Sequence, residues 1–195
     1  MQKTILAIIT LALFSLANAQ VTFSGACPCN VQVQSNFKVE PYLGTWYEYA
    51  KYPAYFEANG KCVQAVYTLK GNGEVGVVNG MVDVTTNKST DIVGYAVVVE
   101  NAKLKVTFPV TPAFNATTNY WVLSTDYVNY SVVYSCQPSD ANSHSTIVWI
   151  LTRTRAPSAE IISKAKSVLT KNAVSLSELV VTDQSNCPAA VPEVC

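Results

Sequence analysis

The sequence predicts an all-β domain of eight antiparallel strands, folded as a sandwich or a barrel, with one helix after the last long strand. Three observations carry this. Apolar and polar residues alternate at a period of two through eight segments, explicit turn signals separate them, and only one stretch changes to helical spacing.

The alternating segments are 45–51, 62–69, 74–84, 90–99, 103–108, 119–124, 130–136 and 145–153. Between them lie Lys70-Gly71-Asn72-Gly73, Thr86-Asn87-Lys88-Ser89, Glu100-Asn101-Ala102 and residues 126–129, all rich in turn formers. Short strands at this spacing fit either all-β architecture. From 157 to 171 the apolar residues Ile161, Ile162, Ala165, Val168 and Leu169 recur at helical spacing, with Ser158 placed to cap the start and Asn172 at the exit. A helix with a single apolar face packs against the outside of a sheet. Residues 179–182 read as one further short strand.

The two ends bound the domain. Lys3, an apolar run over 5–16 and Ala17-Asn18-Ala19 form a signal-peptide pattern, since the run is shorter than the ~20 residues a membrane helix needs. Residues 1–19 are therefore expected to be a signal peptide and 20–195 a single domain, secreted and extracellular. Without Lys3 the chain has one more acidic than basic residue and no basic cluster, which argues against nucleic acid or an anionic membrane as main partner. Six cysteines (Cys27, Cys29, Cys62, Cys136, Cys187 and Cys195) read as disulfides, because the one histidine, His144, has no neighbouring ligand for a metal site. Their spacing does not choose among the 15 pairings.

Gly44-Thr45-Trp46-Tyr47, Thr125-Asp126-Tyr127 and Ile150-Leu151-Thr152-Arg153 occur in that order with the helix following. Together they resemble the three signatures of the lipocalin family. Longer stretches, including 42–48, 56–62, 120–127 and 181–188, are similar to its apolipoprotein D and insect bilin-binding branch. The resemblance implies an eight-stranded antiparallel up-and-down lipocalin barrel with one C-terminal α-helix packed outside. It implies a secreted carrier that binds a small hydrophobic ligand (a lipid, fatty acid or sterol-like molecule) inside the barrel, with no required cofactor. Two other readings are a biliverdin-binding chromoprotein and an interaction protein acting through surface loops or free cysteines, as a monomer or weak dimer.

Structural roles follow for Gly44, Trp46, Arg153, Asp126 and Tyr127. Trp46 plugs the closed end, and Arg153 lies across its indole, a contact worth ~1–2 kcal/mol when shielded. The family pattern also implies the bridges Cys27–Cys136 and Cys62–Cys187. Cys29 and Cys195 remain, expected to join each other and tie the chain ends, with bridges to a second subunit as the alternative.

If Arg153 points inward, strand parity also turns Leu151, Trp149 and Ile147 inward. The same reasoning selects Tyr120, Thr118 and Phe114 on a neighbouring strand, and Val77, Asn79 and Met81 on an earlier one. Ile92, Val106, Phe108 and Ser135 join them as candidate ligand contacts. Trp149 is the foremost, since the matching position contacts ligand in the related branch. Residues 52–57, with Tyr55 and Phe56, and 109–114 are read as mouth loops, and the aromatics raise transient membrane contact. A ligand losing ~300–400 Å² of apolar surface gains roughly 8–10 kcal/mol, which association costs reduce to about micromolar affinity.

Asn87, Asn115 and Asn129 begin glycosylation sequons. No catalytic or metal site is expected. His144 sits in a polar stretch read as a solvated loop, with no matched nucleophile. Glu48 has the parity to point inward, yet no partner carboxylate is evident.

Overall fold

The computed structural model describes residues 20–189. Its strands are β1 (Val21–Ser24), β2 (Gly44–Lys51), β3 (Gly60–Leu69), β4 (Val75–Asp83), β5 (Lys88–Glu100), β6 (Lys103–Thr111), β7 (Phe114–Thr125), β8 (Tyr130–Asp140), β9 (Ser143–Thr152) and β10 (Val180–Val181). Helix α1 (Ala159–Lys171) lies between the last two. From β2 to β9 each strand is antiparallel to the next, and β9 pairs back onto β2, so the sheet closes as an up-and-down barrel. Closure removes the free edges an open sheet would expose. β1 extends the sheet along the part of β9 that β2 does not reach, and β10 lies along the end of β2.

Alternation along the strands sorts apolar residues into two cores. Inside the barrel, Trp46, Tyr67, Val77, Leu104, Val122, Val133 and Leu151 pack together. Outside it, Leu123, Tyr134, Val148 and Ile150 meet Ile162, Ala165 and Leu169 of α1. The Ser158 side chain accepts a hydrogen bond from the Ile161 N–H, and Asn172 ends the helix, as the spacing predicts.

The closed end is knotted around Arg153. Its guanidinium lies 3.8 Å from the centre of the Trp46 ring. It donates to the carbonyls of Tyr127, Thr45, Leu43 and Pro41 at 2.8–3.1 Å. One side chain thus ties the entering chain, β2 and the β7–β8 turn. Gly44 starts β2 with φ of +86°, a conformation costly for a residue with a Cβ. Asp126 stabilises the turn by accepting from the N–H groups of Asn129 and Tyr130 and from the Asn129 amide. Burial raises its pKa, but these bonds outweigh it and hold the carboxyl below its usual value.

Two disulfides fasten the flanking segments, Cys27–Cys136 and Cys62–Cys187, with Cα–Cα distances of 5.9 and 5.5 Å. They are the pairs the resemblance implies. Cys29 is exposed and forms no disulfide among the described residues. Its expected partner Cys195, like the expected leader 1–19, lies outside them.

Three features differ from the sequence reading. β1 was not anticipated, because Val21–Ser24 is short and takes its order from β9. Residues 109–114 are not a loop: β6 and β7 run almost through them, separated by Pro112-Ala113. Pro109 is tolerated because this part of β6 pairs with β7 on one side only. His144 is buried on β9 rather than solvated, with Nδ1 2.8 Å from the Gly25 carbonyl and its ring stacked on Phe23.

Candidate functional site

Beneath the open end the barrel holds a cavity of about 90 Å³, continuous with about 620 Å³ of atom-free space once the mouth is counted. Its walls come from β3, β4, β6, β7 and β9: Val63, Gln64, Ala65, Tyr67, Val77, Asn79, Val106, Phe108, Thr118, Tyr120, Trp149 and Leu151. Phe56 and Glu57 from the first mouth loop and Glu48 from β2 complete them. Below, a pocket of about 20 Å³ among Tyr42, Val75, Leu104 and Val106 has room for about one water. The barrel is therefore filled at the bottom and open above.

A tyrosine network forms the floor between the two. The Tyr120 hydroxyl lies 2.9 Å from that of Tyr42 and 3.0 Å from that of Tyr67, and Tyr42 also bonds Ser131 at 2.8 Å. Burial pushes the Tyr42 phenol up to about 12 and raises those of Tyr67 and Tyr120 as well, so all three remain neutral. Trp149 stacks on Tyr120, with ring centres 6.4 Å apart.

The side wall carries an ionic cluster. Lys51 Nζ lies 3.1 Å from Glu48 Oε1 and 2.8 Å from Glu57 Oε2. Trp149 Nε1 reaches Glu57 Oε1 at 3.4 Å, and Thr182 donates to Glu48 Oε1. Two residues three apart on a regular strand face opposite ways. Here a bulge between Glu48 and Ala50 restores Lys51 to the inner side, where Glu48 lies opposite Leu151 and Lys51 opposite Trp149. Burial, then the nearby Glu57, raise the Glu48 carboxyl to about 8, with Lys51 opposing them. Burial pulls the Lys51 ammonium down, but its two carboxylates more than restore it.

The wall opens near the rim. β5 and β6 pair only from Tyr95–Thr107 towards the closed end. Above that point β5 and β6 part: β4 stays paired with β3 as far as Asp83, while the upper parts of β5 and of the β6–β7 hairpin are exposed. Gly94 marks the parting, since a Cβ there would sit 2.4 Å from the Thr107 carbonyl oxygen and 2.6 Å from Phe108. Between β7 and β8 the ladder stops at Trp121–Tyr134. Above it the Asn119 amide takes the ladder's place, bonding both the N–H and the carbonyl of Cys136.

Of the residues singled out by sequence, Trp149, Tyr120, Thr118, Phe108, Val106, Asn79, Val77 and Phe56 line the cavity. Ile147 and Ser135 are buried outside that lining, and Ser135 bonds Thr118 and Asn119. Phe114 and Ile92, 59% and 44% exposed, stand on the rim hairpins with half-buried Met81, and Tyr55 is 67% exposed beside Phe56. Glu57 was missed as a partner for Glu48, because a loop residue has no strand parity to read. Ala65 and Tyr67, which share the parity of Val63 in the alternating segment 62–69, also line the cavity although the sequence reading did not single them out. Asn87, Asn115 and Asn129 are all exposed, on the β4–β5 turn, on β7 and before β8. Among the described residues no cluster of His, Cys, Asp and Glu could hold a metal.

Comparison with known proteins agrees with this architecture. Residues 37–184 match the family described as Lipocalin-like domain. Apolipoprotein D of Mus musculus is 42% identical over 179 residues, 90% of this chain and 92% of that one. Bilin-binding protein of Pieris brassicae is 36% identical over 188 residues, 94% of this chain and 97% of that one. The structure of insecticyanin from the tobacco hornworm Manduca sexta superposes with a TM-score of 0.77 at 26% identity, covering 86% of this chain and 90% of that one. With its closed barrel, its knotted end and its open cavity, this chain belongs to the lipocalin family.

Proposed function

We propose that this chain is a secreted, extracellular carrier that holds one small hydrophobic ligand in the cavity beneath its mouth and catalyses no reaction. The leading observation is the cavity itself: an apolar wall, aromatic at Trp149, Tyr120 and Phe108, open at one end and closed at the other. Such a wall stabilises a ligand by about 25 cal/mol per Å² of apolar surface removed from water and has little directional demand. Residues 1–19 would be the leader removed on secretion. The exposed side chains of Tyr55, Phe56, Val110 and Phe114 at the rim support transient contact with a membrane during loading.

Native mass spectrometry with an absorption spectrum, on protein purified from its own source, tests this. A bound lipid mass without a visible band supports the carrier. A tetrapyrrole mass with a visible band moves the assignment to a bilin, as the name of the Pieris relative describes. An empty barrel that takes up no fatty acid, sterol or bilin overturns both.

A further inference from the structure

We infer that the cavity selects ligands whose polar end is uncharged and donates a hydrogen bond, such as an alcohol or carboxamide, over those ending in a carboxylate. This rests on the carrier reading and names its ligand more closely.

The lining contains two carboxyl side chains, Glu48 and Glu57, and no Lys, Arg or His. Lys51, the cation beside them, has its ammonium held between their two carboxyl groups, 3.1 Å from Glu48 and 2.8 Å from Glu57. A carboxylate drawn into this space would lose its water and gain no counter-charge, which is costly in a site of low polarity.

The hydrogen-bonding groups point the same way. Asn79 Oδ1 is buried in the wall and receives no hydrogen bond from any described residue. An unmatched buried acceptor calls for a donor. An ionised carboxylate has none, whereas a hydroxyl or an amide N–H does. Of the other polar groups, the Tyr67 and Tyr120 hydroxyls bond each other, Thr118 bonds Ser135, and the Gln64 side-chain carbonyl accepts from Arg155. The Trp149 N–H is directed at Glu57. Glu48, raised by burial to about 8, reflects how poorly this wall supports a further negative charge.

The test titrates the folded, disulfide-bonded protein, stripped of ligand, with dodecan-1-ol, dodecanamide and dodecanoate by calorimetry at neutral pH. The alcohol and amide are expected to bind at least tenfold more tightly than the carboxylate. Asn79→Leu should weaken the alcohol severalfold. Glu57→Gln should strengthen the carboxylate and narrow the gap, with circular dichroism showing that each variant keeps its fold. Equal or tighter binding of dodecanoate overturns the inference and leaves the carrier reading in place, because the tail alone would then enter the barrel while the head stays in water. An unchanged ratio in both variants overturns the assignment to these groups. If none of the three probes binds, the carrier reading falls and takes this inference with it.

Discussion

Replacing Arg153 by methionine keeps most of the apolar length of the side chain while removing its charge and all of its donors. Four carbonyls lose their partner: Thr45 and Leu43 at 2.8 Å, Tyr127 at 3.0 Å and Pro41 at 3.1 Å. Hydrogen bonds to a charged donor contribute about 1.5–3 kcal/mol each. That sum is not fully realised, because the guanidinium is itself half-buried and burial pulls its pKa below the ordinary value. The stacking on Trp46 at 3.8 Å adds ~1–2 kcal/mol. A net loss of about 3–5 kcal/mol is expected, as for other broken buried charge networks. For a domain of this size that lowers the thermal midpoint by about 10 °C. Urea titration and thermal melts followed by circular dichroism measure it. Arg153→Lys should fall between the two, keeping the charge but not the fork. A double-mutant cycle with Trp46→Phe isolates the ring contact. A loss below about 1 kcal/mol in Arg153→Met would refute the view that one guanidinium holds the closed end.

Three further outcomes follow from local geometry. Gly94→Ala forces its Cβ against the Thr107 carbonyl oxygen and Phe108, so it should cost about 1–3 kcal/mol and weaken ligand binding by moving Phe108. Gly71→Ala, where a Cβ meets nothing within 4 Å, is the control that should change neither. Removing the Cys62–Cys187 bridge by paired serine substitutions frees a loop spanning 125 residues, and chain entropy sets the loss at about 4–5 kcal/mol in denaturant titrations. Glu48 binds its proton up to about pH 8 when folded but releases it near the ordinary value of 4.5 when unfolded. In that window the folded state holds the extra proton, so stability should fall as the pH rises from about 5 to about 8 and level off above. Glu48→Gln should flatten the slope, and a parental midpoint that rises over the same range would contradict the assignment.

The barrel was legible because its inner face is written in alternation. Val77, Val106, Tyr120 and Trp149 share one parity with Arg153, and register turns all of them inward. Alternation fails where both faces share one environment. Both sides of the β6–β7 rim hairpin face water, so Pro109, Val110 and Thr111 look like loop residues although they lie in a strand. The ionic cluster depends on a bulge, which breaks the period that a sequence reading uses. Lys51 and Glu48 come together only because one residue between them drops out of register.

The two disulfide loops interleave, since one closes residues 27 to 136 and the other 62 to 187. Both rim turns, at 84–87 and 112–113, fall within the stretch common to both. These exposed tips are where a protease would cut first. After a cut at either tip, one fragment keeps Cys27 and Cys62 and the other keeps Cys136 and Cys187, so two covalent links still join them. Clipping at the mouth would therefore appear as two bands only on a reducing gel, while the molecule in solution stays in one piece around its ligand.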